Sequence, residues 1–188
     1  MNKNQFGFTP QKGTIDEAMV IKAVVKEGLA AGEVIALVCL EVQGAFDATW
    51  WSGILKELRA CGCPKYLYEL TKCYFNQRTA TLSTNSLRLE NEISRGPGFW
   101  NLQYNSLLNL KFMARRKVVA FADYLIMVTR CEWVRAVENY VNAELSKITL
   151  WSKKSKTKFN EKKFKIMLVS RRKRRETGIL EFTEIINR

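Results

Sequence analysis

Two carboxylates lie on segments that read as β-strands: Glu41, ending the apolar run VIALVCL, and Asp123, inside VVAFADYLIMV. An ionised carboxylate buried without a partner is so costly that it changes protonation, pairs with a base or holds a metal. Taken alone, Asp123 reads better as a solvated turn acid, because Ala122 to Tyr124 suits a tight turn. Taken as a pair, the two acids suit phosphoryl transfer. There, two hard cations about 4 Å apart are gripped by carboxylate oxygens from neighbouring strands and stabilise the attacking and leaving oxygens of an in-line displacement. Acids on two strands are also common without any such chemistry, so the rest of the chain must decide.

Composition removes several alternatives. The chain has 188 residues and no His, which excludes Ser-His-Asp and Cys-His catalysis and zinc sites that need imidazole. Its five Cys (Cys39, Cys61, Cys63, Cys73, Cys131) form no CxxC pair and read as reduced, mostly buried thiols. Lys and Arg outnumber Asp and Glu by 31 to 18, a net charge of +13 that points to a polyanionic partner, nucleic acid before an acidic membrane surface. The charge is densest from Lys153 to Arg175, where twelve basic residues stand against one acid, Glu161. That run reads as a surface following a phosphate backbone, or as a solvated or nuclear-import tail. No apolar run reaches a membrane span and no secretory signal opens the chain, so an intracellular protein, cytoplasmic or nuclear, is expected.

The elements that must position the acids follow from periodicity. TIDEAMVIKAVVKEGLAAG predicts a helix with a Thr14–Glu17 capping box, an apolar face of Ile15, Ala18, Met19, Val25 and Leu29, and a stop at Gly32. Val34 to Leu40 predicts a strand covered on both faces. Two helices follow, one ended by Gly62 and one with Pro64 in its first turn, then a hairpin turning near Asn85. A helix from about Trp100 to Ala114, the strand pair around Asp123, a long helix from about Glu132 to Lys154 and a last strand FKIMLVS complete the chain. All five Trp (Trp50, Trp51, Trp100, Trp133, Trp151) are expected in the core or between helices. Strands and helices mix without regular βαβ alternation, which gives an α+β class.

Four ordered blocks, QFGFTPQKGTIDEA, LEVQGAFDATWW, AFADYL and KFNEKKFKIMLVS, resemble the reverse transcriptase domain of non-LTR (LINE-like) retrotransposons. The resemblance spans nearly the whole chain. It implies a right-hand polymerase palm, an antiparallel sheet backed by helices, with part of the fingers. Residues 5–33 would be a fingers-side helix, 34–60 the first palm strand and helix, 61–95 a helix and hairpin, 96–131 a helix and the catalytic hairpin, and 132–188 a palm helix, strand and basic tail.

The resemblance implies roles as well. Glu41 and Asp123 would be catalytic metal ligands for two Mg2+ ions, Lys163 would assist the leaving pyrophosphate, and Phe46 and Val42 would meet the incoming dNTP. Arg78, Arg95, Lys158, Arg171, Arg172, Lys173, Arg174 and Arg175 would contact RNA template and DNA primer. No other small-molecule cofactor is implied.

This chain departs from the family at the chemistry. The family carries Asp where Glu41 stands, and a second Asp where Tyr124 stands. The extra methylene of Glu moves the carboxylate by about 1.5 Å, roughly one C–C bond, and a 1 Å misplacement in a reacting constellation can cost ~100-fold. A neutral phenol is a poor ligand for a hard cation. The Pro-Gln-Gly-Ser type loop of the family is shortened to Gly96, Pro97 and Gly98, and upstream fingers, endonuclease and thumb are not recognisable. The expectation is therefore a truncated, degenerate copy with impaired nucleotidyl transfer. The alternatives are a catalytically inactive basic nucleic-acid-binding remnant or a non-functional element fragment.

Overall fold

The computed structural model describes residues 1–45, 50–76, 79–84, 87–92 and 97–171. Its elements run in the order α1 (Thr14–Ala30), β1 (Val34–Glu41), α2 (Trp51–Ala60), α3 (Lys65–Phe75), β2 (Thr79–Thr84), β3 (Leu87–Glu92), α4 (Pro97–Leu108), β4 (Arg116–Phe121), β5 (Tyr124–Cys131), α5 (Val134–Ser155), a 3-10 turn at Glu161–Lys163, and β6 (Lys165–Val169). This is the α+β architecture expected.

Four strands form one antiparallel sheet in the order β4-β5-β1-β6, and β2 pairs with β3 separately. β1 is central because Val34 to Leu40 offers apolar side chains to both faces. Val34, Ala36, Val38 and Leu40 point to one face with Val118, Ala120, Leu125 and Met127, and there they meet Trp100, Tyr104 and Leu107 of α4 and Val137, Val141, Leu145 and Ile148 of α5. This is the main core. Several fully buried Leu and Ile side chains, each worth roughly 1.5–3 kcal/mol on burial, hold the two helices to the sheet. Val137, Val141, Ile148 and Trp151, at helical spacing along α5, are all buried there.

The opposite face carries Ile35, Cys39 and Glu41, and α1 packs there rather than in the main core. At Gly28 it comes close to the sheet: an added Cβ would lie 3.1 Å from Ile35 Cγ1 and 3.2 Å from Arg130 Nε. The expected apolar face of α1 is thus corrected: Ile15 and Met19 are exposed, while Glu17 and Gly28 are buried. Its cap is corrected too. Gly13, not Thr14, is the N-cap, and Asp16 Oδ2 accepts from its nitrogen at 2.7 Å.

Other expectations shift by smaller amounts. Pro64 is the N-cap of α3 rather than a residue of its first turn. α4 begins three residues before Trp100 and ends at Leu108, because the chain must turn back to start β4; Glu144 Oε1 fixes that return by accepting from Met113 N at 2.9 Å. The thiols are less buried than expected: Cys131 is buried, Cys39 and Cys63 are partly covered, and Cys61 and Cys73 are exposed. Trp133 is 63% exposed at the N-cap of α5, whereas Trp100 and Trp151 are in the core. β2 and β3 pair in a register that closes at Thr84 and Leu87; Asn85 itself lies outside the described residues.

Candidate functional site

The last pair of the β4–β5 hairpin is Phe121 with Tyr124, leaving Ala122 and Asp123 as a two-residue turn. Ala122 has φ +54° and Asp123 is not among the positive-φ residues, the pattern of a type II′ turn, whose first central position favours glycine. An alanine in this left-handed region costs on the order of 1 kcal/mol, so the surroundings must hold the turn in place.

They do so from two directions. The N-terminal segment lies along β4, with Ala120 N donating to Asn4 O at 2.9 Å and Phe6 N donating to Ala120 O at 2.8 Å. Gly7 then passes so close beneath the turn that a Cβ on it would lie 2.1 Å from Ala122 N. From α4, Trp100 Nε1 donates to Ala122 O at 2.8 Å and Asn101 Nδ2 donates to Gly7 O at 2.8 Å, while Gln5 Nε2 donates to Asn101 Oδ1 at 2.5 Å. The turn that presents Asp123 is thereby fixed. Behind it the Tyr104 hydroxyl is fully buried with no hydrogen-bond partner; burial, and secondarily the charge of Asp123, push its phenol well above the usual range.

Glu41 ends β1 opposite this turn. Its register partner is Tyr124, and Val42 N donates to Asp123 O at 2.9 Å, so the two acids share one end of the sheet. Glu41 is only 8% exposed, and Lys163 Nζ sits 2.5 Å from its Oε1. Oε2 is buried without a partner in hydrogen-bond geometry. The Tyr124 phenol lies beside the same carboxylate and feels it: Glu41 raises the Tyr124 pKa. The Glu41 carboxyl is held below the usual carboxylate range, chiefly by the Lys163 hydrogen bond against the opposing effect of burial, with Tyr124 assisting. Lys163 is raised in turn by Glu41, and more weakly by Tyr124 and Asp123. These four side chains form one electrostatic unit.

The other expected site residues are dispersed. The Val42 side chain is buried in the core and its backbone bridges Phe159. Lys158 is exposed and its carbonyl accepts from Gln43 N at 2.8 Å; Arg171 is exposed beyond β6. Phe46, Arg78, Arg95, Gly96, Arg172, Lys173, Arg174 and Arg175 lie outside the described residues. Sequence reasoning did not single out the clamp of Gln5, Gly7, Trp100 and Asn101. The QFGF block was its only signal.

The donor set does not fit a pair of divalent cations. Among the described residues no group of three or more Cys, Asp or Glu side chains could hold a metal ion. Of the two acids Glu41 and Asp123, Glu41 already has the Lys163 ammonium as its cation. Among the described residues no helix is long and apolar enough to cross a membrane.

The family described as reverse transcriptase (RNA-dependent DNA polymerase) matches over residues 1–183. No curated protein matches the sequence significantly. Among solved structures, the fold is similar to the apo telomerase of Candida tropicalis truncated from its C-terminal domain, with TM-score 0.65 and 11% identity over 88% of this chain and 36% of that one. It is similar also to the telomerase of the same organism in complex with the TWJ fragment of telomeric RNA (TM-score 0.66, 10% identity, 88% and 30% covered). The apo form of that telomerase gives TM-score 0.61 at 10% identity, with 89% and 33% covered. At these identities the likeness is one of fold, and the chain spans about a third of the length of those proteins.

Proposed function

The chain belongs to the reverse transcriptase (RNA-dependent DNA polymerase) family, and from that premise we propose that it is the palm of a non-LTR (LINE-like) retrotransposon enzyme. In this reading it holds RNA template and DNA primer but carries out nucleotidyl transfer poorly or not at all. The family reaction generally uses Mg2+. Asp123 and Glu41 stand at the family's ligand positions, Lys163 at the position that assists pyrophosphate, and Phe46 and Val42 at the dNTP. Residues 5–33 are a fingers-side helix, 34–60 the first palm strand and helix, 61–95 a helix and hairpin, 96–131 a helix and the catalytic hairpin, and 132–188 a palm helix, strand and basic tail, and the protein works in the cytoplasm or nucleus.

The observation that carries impairment is the pairing across β1 and β5: the residue opposite Glu41 is Tyr124, a neutral phenol, where metal-assisted chemistry calls for another carboxylate. The net charge of +13 supports retained binding. A second reading, a binding-only remnant of the element, rests on that charge alone, with the basic run from Lys153 to Arg175 as the contact surface.

Fluorescence anisotropy with a labelled RNA–DNA hybrid tests the binding. If about six phosphates are neutralised, affinity falls by roughly 10³ between 50 and 200 mM salt, and Asp123→Ala leaves it unchanged. An affinity indifferent to salt, or no binding at 50 mM, overturns the proposal.

A further inference from the structure

Lys163 is not a loose surface lysine that happens to meet an acid. The 3-10 turn that bears it is tied to the backbone of Glu41 itself: Asn160 N donates to Glu41 O at 2.7 Å and Lys163 N donates to Asn160 O at 3.0 Å. The Asn160 side chain caps the turn by accepting from Lys162 N at 3.2 Å. On the other side of Glu41, Gln43 N donates to Lys158 O at 2.8 Å and Val42 bridges Phe159. The segment 158–163 is therefore zipped to the end of β1, and the backbone of Lys163 is fixed relative to the carboxylate.

We propose that the Lys163 ammonium is the resident cation of this site, holding Oε1 of Glu41 in place of a divalent ion, so that the chain keeps its acidic end folded without a metal at Glu41. This rests on the reading of Glu41 as a family ligand position. Three features support it. An ammonium donates hydrogen bonds to carboxylate oxygens, as Mg2+ would coordinate them, but it needs no octahedral shell and no further acids. Glu41 is buried, and a buried carboxylate requires a permanent partner. Lys163 is half exposed, so most of the desolvation falls on the acid and not on the cation. The ion pair also joins the end of β1 to the segment leading into β6, a structural task independent of catalysis.

Mn2+ binding measured by electron paramagnetic resonance on the full chain tests this, with circular dichroism confirming the fold of each variant. The native chain is expected to show no Mn2+ site that Glu41→Gln removes. Lys163→Met, which keeps the stem and deletes the ammonium, should gain such a site at least 10-fold tighter than anything in the native chain, and Glu41→Gln in the same background should remove it. Lys163→Gln serves if the Met variant does not fold. A Mn2+ site in the native chain that depends on Glu41, or folded Lys163 variants that gain none, overturns the proposal. Either result leaves the hybrid-binding measurement untouched, so the two readings fail separately.

Discussion

Gly7 lies against Ala122 with no room for a side chain between them: a β-carbon on Gly7 would stand 2.1 Å from the Ala122 nitrogen. The glycine is demanded by the backbone of the turn that carries Asp123, since the obstacle is main chain and cannot rotate away.

Gly7→Ala should therefore displace the N-terminal segment or the turn. Overpacking of this kind costs typically 1–3 kcal/mol, which in a chain of this size lowers Tm by about 2–12 °C. Thermal melts followed by circular dichroism read this directly, and an unchanged Tm would show that the segment does not lie under the turn.

Ala122→Gly should act in the opposite direction. Ala122 holds φ +54°, which strains a residue bearing a β-carbon by about 1 kcal/mol, and glycine relieves it at some entropic cost. Denaturant titration should show stability equal to or above the native chain by up to ~1 kcal/mol. A loss greater than that would mean the methyl group packs in a way that outweighs the strain.

Glu17 supplies a pH dependence. Burial raises its carboxyl pKa above 4.5 in the folded protein, and one of its oxygens is buried without a partner. With the folded value above the unfolded one, the ionised form is penalised at neutral pH, and the penalty disappears as pH falls through the folded pKa towards 4.5. Glu17→Gln should then raise Tm at pH 7 and make a progressively smaller difference on acidification. An advantage that grows at low pH would contradict the assignment. The same carboxylate adds to the effect of burial in pushing the Cys39 thiol up, so its removal should also make that thiol easier to ionise.

The sequence carried the sheet well where one signal dominated. Val34 to Leu40 could be little other than a central strand, and the α5 stripe from Val137 to Trp151 named its own buried face. α1 was misread because its apolar residues are more numerous than its buried ones. The helix approaches the sheet through Gly28, where smallness matters and hydrophobicity does not, and that choice is visible only once Ile35 and Arg130 are in place. The site was legible as separate residues and not as an arrangement. Glu41 and Lys163 are 122 positions apart, and nothing local announces that the turn at Asn160 is hydrogen-bonded to Glu41. Trp100 was expected to pack, which it does, but its indole N–H also holds the carbonyl of Ala122, a task no periodicity reveals.

Primer extension tests the central claim most directly. The full chain is incubated with an RNA template, an annealed DNA primer, dNTPs and either Mg2+ or Mn2+, beside a Glu41→Ala, Asp123→Ala control. With Tyr124 opposite Glu41 and Lys163 on its oxygen, incorporation should stay close to that control; extension of the primer to the end of the template that the paired substitution abolishes would contradict the account.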